Sequence, residues 1–94
     1  MRKYESVFIF ETRLEEEARN NIFDKFKKII EEKGTITNID EWGSRKLAYE
    51  INDLSEGYYI IVNFEGEAEA VKEMDRIAKI TDGVMRLMTI RDEN

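Results

Sequence analysis

The chain opens on strict alternation. From Lys3 to Phe10, Tyr4, Ser6, Phe8 and Phe10 fall on one face of a strand, and Lys3, Glu5, Val7 and Ile9 on the other. The period then changes to that of a helix. Ala18, Ile22, Phe26, Ile29 and Ile30 recur at spacings of three and four, with Phe23 widening the stripe, so one helical face is buried. Thr12-Arg13-Leu14-Glu15 fits a capping box at the helix start, and Glu15, Glu16 and Glu17 suit the positive end of its dipole. Asp24, Lys25, Lys27, Lys28 and Glu31 take the solvated faces. Lys33-Gly34 supplies a basic last turn and a glycine suited to a left-handed cap.

Thr35 to Ile51 reads as one long strand bent in its middle. Ile36, Ile39 and Trp42 are three apart, a spacing that a flat strand does not accommodate, so a bulge is predicted there besides the bend at Gly43. Beyond the bend, Leu47, Tyr49 and Ile51 point one way, Ala48 and Glu50 the other. Asn52 to Gly57 is a turn. Tyr58 to Phe64 is a strand with Tyr58, Ile60, Val62 and Phe64 on one face and Tyr59, Ile61 and Asn63 on the other. Glu65-Gly66-Glu67 leads to a second helix whose stripe is Ala70, Val71, Met74, Ile77 and Ala78. Thr81-Asp82-Gly83 turns into a last strand, Val84 to Ile90, and Arg91 to Asn94 is a polar end expected to fray.

The order strand, helix, strand, strand, helix, strand predicts an α+β fold, the ferredoxin-like βαββαβ sandwich. In it two helices cover one face of a four-stranded antiparallel sheet. The 94 residues are expected to form one domain. The uncovered face then carries Val7, Ile9, Tyr59, Ile61, Arg86, Met88 and Ile90. A contiguous apolar patch of that size suggests a docking surface; the plainer reading is scattered apolar residues or contact between copies.

Composition narrows the chemistry. With no cysteine and no histidine, thiol chemistry, the usual neutral-pH acid and base, and the commonest transition-metal ligand are missing. Ser6, Ser44 and Ser55 have no nucleophile-elbow context, and no glycine loop cradles a phosphate. Asp40 and Glu41 are adjacent, as are Asp92 and Glu93. On a strand such neighbours point to opposite faces, so Asp40 and Glu41 cannot share a proton or a metal and instead charge a sheet edge. No enzyme activity, cofactor, metal or small-molecule substrate is expected. No apolar run approaches the roughly 20 residues of a membrane helix, and the start lacks a secretory apolar region, so a cytoplasmic chain is expected.

A formal net charge of -6 argues against nonspecific coating of nucleic acid, so any RNA contact is local or shared with a more basic partner. Gly57-Tyr58-Tyr59-Ile60-Ile61-Val62-Asn63-Phe64 partly evokes the stacking strand of RNA-recognition modules. However, Glu56 replaces the basic residue before the glycine, and aliphatics occupy the stacking positions. Arg45 and Lys46 are better placed to reach phosphates, from the bend, with Arg2, Lys3 and Arg91 adding charge at the chain ends. The plain alternative is a solvated basic pair.

Met1-Arg2-Lys3-Tyr4-Glu5, Trp42-Gly43-Ser44-Arg45-Lys46-Leu47-Ala48-Tyr49, Gly57-Tyr58-Tyr59 and Val84-Met85-Arg86-Leu87-Met88 together resemble the bacterial small-subunit ribosomal protein S six family, over nearly the whole chain. The glycine, basic pair and Leu-Ala-Tyr of the central segment are the most specific piece. The resemblance implies a ferredoxin-like protein that binds the central domain of small-subunit rRNA together with ribosomal protein S eighteen. Carried over by position, it implies rRNA contacts from Arg2, Lys3, Arg45, Lys46, Arg86 and Arg91, and partner contacts from Trp42, Leu47, Tyr49 and Tyr59. It also accounts for the acidic balance, because a basic partner supplies much of the phosphate neutralisation. Many family members carry a longer C-terminal tail, so no tail function is carried over to a sequence ending at Asn94. Two other readings share the fold. One is a regulatory module that dimerises through its open sheet and binds a metabolite. The other is an acylphosphatase-like enzyme, which the acidic Glu11-Thr12-Arg13-Leu14-Glu15 disfavours because it offers no phosphate cradle.

Overall fold

A computed structural model describes residues 2–51 and 54–92. The elements run β1 (Arg2–Phe10), α1 (Glu16–Lys33), β2 (Thr35–Ile51), β3 (Leu54–Gly66), α2 (Ala68–Ile80) and β4 (Val84–Asp92). The strands form one antiparallel sheet in the order β2-β3-β1-β4, as the ferredoxin-like reading expects.

Both faces of β1 come out as the alternation predicts. Tyr4, Phe8 and Phe10 join Ile60, Val62 and Phe64 of β3 beneath Phe23, Phe26 and Ile30 of α1 and Met74 of α2. Phe8 is the hub, its ring meeting Phe23 and Phe26 edge-on at centroid distances of 5.5 and 5.0 Å. Ser6, fully buried on this face, hydrogen-bonds the Thr89 hydroxyl across the β1–β4 pair at 2.7 Å, which satisfies both. The α2 stripe is as expected, with Met74 wholly buried and Val71, Ile77 and Ala78 packed around it.

Several local expectations change. The capping box does not form: Glu15, not Thr12, is the N-cap of α1, and no side chain caps it. Thr12 is instead spent in a turn that the Leu14 amide closes onto the Glu11 carbonyl. Ala18 is exposed, and Arg19 takes its place on the buried stripe, in register with Phe23, Phe26 and Ile30. Gly34 is extended rather than left-handed. A Cβ there would lie 2.3 Å from the Glu65 carbonyl oxygen, so close approach of the chain to the end of β3 is what requires the glycine. Leu54 to Gly57 extend β3 instead of lying in a turn, and Arg91 and Asp92 extend β4, paired with Tyr4 and Lys3. Met1, Asn52, Asp53, Glu93 and Asn94 lie outside the described residues.

Gly34→Ala is expected to destabilise the fold by about 1–3 kcal/mol, because backbone must move to admit the methyl group. A urea midpoint equal to that of the parent protein would contradict the close approach.

Candidate nucleic-acid and partner interface

β2 is an edge strand, and its pairing with β3 slips between Ile36 and Asn38, between Glu41 and Gly43, and between Lys46 and Ile51. The first two slips answer the odd spacing of Ile36, Ile39 and Trp42. At the second, Gly43 has φ +82°, a geometry that a side chain would strain, although nothing lies within 4 Å of where a Cβ would stand. Adjacent Asp40 and Glu41 do point to opposite faces. Asp40 accepts a hydrogen bond from Trp42 Nε1 at 2.8 Å, and Glu41 accepts one from the Tyr58 hydroxyl.

Directly paired residues share a face of the sheet, so the register defines the uncovered side. Val7 pairs with both Ile61 and Met88, Ile9 with both Tyr59 and Arg86, and Glu5 with both Asn63 and Ile90. All seven residues expected on that face are therefore on it. Trp42 joins them by stacking on Tyr59, with ring centroids 6.3 Å apart and planes 22° from parallel. The stack leaves Trp42 46% exposed, and Met88 and Ile90 are exposed as well, so this aromatic and aliphatic surface stays open to solvent.

β1 and β3 pair only as far as Phe10 and Tyr58, so β2 and β3 continue past the sheet as a two-stranded arm. Arg45 and Lys46 lie at its base, opposite Gly57 and Glu56. The arm folds back over the uncovered face. Ile9, Leu47 and Met85 converge where a Cβ on Gly57 would stand, at 2.4, 3.3 and 3.7 Å, which leaves Ile9 only 3% exposed. Farther along, Arg86 of β4 donates a hydrogen bond to the Tyr49 hydroxyl at 2.7 Å. Leu47 and Tyr49 thus hold the arm to β1 and β4, and Tyr49 keeps most of its ring in solvent.

The six basic candidates form two groups. Arg45, Lys46 and Arg86 gather at the arm end of the sheet; Arg2, Lys3 and Arg91 gather where β1 begins and β4 ends, roughly 20 Å away along the strands. Within the second group, Lys3 faces the open side and Arg2 and Arg91 the helix side, by the register of β1. Arg45 and Lys46 are exposed, and neither is in an ion pair among the described residues. Arg45 Nη1 donates to the Ser44 carbonyl at 3.0 Å. Of the partner candidates, Trp42 and Tyr59 form one contiguous surface, while Leu47 and Tyr49 belong to the arm.

Beneath the bend lies a contact that the apolar pattern missed. The Arg19 guanidinium sits over the Tyr58 ring, its Cζ 3.6 Å from the centroid. The sequence signal for it is its register with Phe23, Phe26 and Ile30 at spacings of four, three and four, a core period carried by a charged residue. No group of three or more acidic side chains able to hold a metal ion occurs among the described residues, and no described helix is long and apolar enough to cross a membrane.

The hydrogen bond to Glu41 holds the Tyr58 proton above the ordinary tyrosine value of 10.0, with desolvation adding to it. The native protein therefore keeps this proton more tightly than the unfolded chain. The resulting stability is fully present below about pH 10 and is lost as pH rises through the native value. Urea midpoints measured above pH 10 are expected to fall less steeply with pH for Tyr58→Phe than for the parent; parallel slopes would contradict the bond.

The family model described as Ribosomal protein S6 matches residues 3–91. A small ribosomal subunit protein bS6 from Alkaliphilus oremlandii is 57% identical over 93 residues, covering 99% of each chain. Its counterpart from Clostridium novyi is 50% identical over 94 residues, again covering 99% of each. The crystal structure of 30S ribosomal protein S6 from Thermotoga maritima superposes with a TM-score of 0.89 at 36% identity, covering 97% of this chain and 87% of that one. With its strand order, bent edge strand and central Trp-Gly segment, the chain belongs to the ribosomal protein S6 family, structural proteins of the small ribosomal subunit.

Proposed function

We propose that the whole 94-residue chain acts as one domain that folds and holds the central domain of small-subunit rRNA, in the bacterial cytoplasm, together with ribosomal protein S eighteen. The observation that carries this reading is the juxtaposition at the bend of β2. Arg45 and Lys46, exposed and outside any ion pair among the described residues, follow the solvent-facing Trp42–Tyr59 stack within four positions along β2. Unneutralised cations meet phosphate oxygens at little cost, because no internal partner has to be given up. An exposed aromatic stack on the same open face as Met88 and Ile90 of the opposite edge strand suits a protein partner, since burying that face removes apolar area from water.

The division of labour follows from charge. At net -6 the chain cannot neutralise many phosphates alone, so a basic partner seated on the open face supplies the rest. Trp42, Tyr59, Leu47 and Tyr49 take the partner, and Arg45 and Lys46 take the RNA with Arg86 beside them. Arg2, Lys3 and Arg91 form a second, smaller contact at the far end of the sheet. The reading involves no catalysis and no cofactor.

The test is binding to a central-domain rRNA fragment, with and without the partner protein, across a salt series. Binding that requires the partner and weakens steeply with salt is expected. Arg45→Ala with Lys46→Ala should weaken it at every salt concentration and flatten the salt slope by about one unit per lost phosphate contact, leaving the urea midpoint near that of the parent. A double variant that assembles like the parent would remove those two residues from the interface. No binding by the parent protein in either condition would remove the rRNA reading and leave the self-associating regulatory module in first place.

A further inference from the structure

Two consecutive aromatic residues of β3 hold two consecutive residues of the β2 bulge from opposite sides of the sheet. On the open face, Tyr59 stacks on Trp42. On the helix face, the Tyr58 hydroxyl donates to the Glu41 carboxylate. The register slip between Glu41 and Gly43 lies at this pair, and the positive φ of Gly43 follows it immediately. Tyr58 is held in turn. Arg19 of α1, 9% exposed, covers its ring, and the Arg19 Nε atom is buried with no hydrogen-bond partner among the described residues. A buried cation with an unmet donor is a costly group, so its seat on the ring face is what keeps it there.

We propose that Arg19, Tyr58 and Glu41 are positioning residues that fix the bend of β2 and thereby aim Arg45 and Lys46 at the rRNA. The inference rests on the rRNA reading for its consequence, and on geometry alone for its mechanism. Gly43 on its own does not choose one bend, because a residue without a Cβ populates positive and negative φ about equally. The tie from Glu41 through Tyr58 to α1 supplies that choice. It anchors an edge strand, otherwise paired on one side only, to the rigid helix layer. Arg45 and Lys46 follow two and three residues after the glycine, so a change in its dihedral angles swings both.

The variants Tyr58→Phe, Glu41→Ala and Glu41→Gln test it. Phenylalanine keeps the ring beneath Arg19 and removes only the hydroxyl. The two Glu41 variants remove the same charge, but glutamine still offers an oxygen to the Tyr58 hydroxyl. Binding to the rRNA fragment with the partner protein present should weaken about 2- to 10-fold for Tyr58→Phe and for Glu41→Ala relative to Glu41→Gln, the loss of one ordinary hydrogen bond. The double variant Tyr58→Phe with Glu41→Ala should be no weaker than Glu41→Ala alone. Amide hydrogen exchange in the free protein gives a readout that needs no RNA: exchange at Ser44, Arg45 and Lys46 should quicken in Tyr58→Phe and return toward the parent's rate in Glu41→Gln as against Glu41→Ala. Equal affinity and equal exchange for Glu41→Ala and Glu41→Gln, with Tyr58→Phe like the parent, would overturn the inference while leaving the rRNA reading intact. Failure of the parent protein to bind the fragment would overturn the reading, and the aiming role with it.

Discussion

A four-stranded sheet with both helices on one side has a second side that must either be polar or be covered. In this protein it is neither. Ile9 and Ile61 are buried on that side, Val7 is partly so, and Trp42, Met88 and Ile90 stand in solvent. What the chain itself can do about the exposed surface is limited to the β2–β3 arm, which folds back far enough for Leu47, Ile9 and Met85 to gather around Gly57 and for Tyr49 to meet Arg86. On the proposed reading the rest is covered by a partner. On this account the uncovered side and the acidic charge are two aspects of one arrangement: a protein that completes its own surface, and its phosphate neutralisation, only in company.

On the proposed reading, the bend in β2 gives that surface two chemistries. Before the bend, Trp42 lies flat against Tyr59 on the open face; after it, Arg45 and Lys46 stand exposed, in no ion pair among the described residues. In an unbroken strand Trp42 and Arg45, three positions apart, would fall on opposite faces. The bulge lets Trp42 and Arg45, which is opposite Gly57, share the open face, while Lys46, opposite Glu56, turns to the other side of the edge. Rigid anchoring matters because a mobile cation gives back, in ordering cost, part of what it gains at a phosphate.

How much of this is legible in the sequence depends on the range of the interaction. The alternation of Tyr4, Phe8 and Phe10, the run from Tyr58 to Phe64 and the stripe through Met74 identify the sheet and helices because each is a local period tied to one buried face. Even the bulges are visible, in the spacing of Ile36, Ile39 and Trp42. Contacts that depend on distant residues are not. Nothing near Ser6 announces Thr89, which is 83 positions away, and nothing near Tyr49 announces Arg86. Thr12 has the residue types of a helix cap but is drawn into a turn, and Gly34 looks like a left-handed cap but answers to the Glu65 carbonyl. Arg19 is the most instructive miss. Its position has the period of the core, and only the ring of Tyr58, distant in sequence, makes burying a guanidinium there tolerable.

On the proposed reading, the face carrying Trp42 is the one a partner covers when the rRNA complex forms. Trp42 is the only tryptophan in the chain, so its fluorescence reports that face without labelling once a partner lacking tryptophan is used. The most direct measurement is acrylamide quenching of Trp42 in the free protein and in the complex with ribosomal protein S eighteen and the rRNA central domain. The account predicts that quenching, ready in the free protein where the side chain is half-exposed, falls several-fold in the assembled complex. A complex that forms while Trp42 remains as open to quenching as before would contradict it, and would place the docking surface elsewhere on the protein.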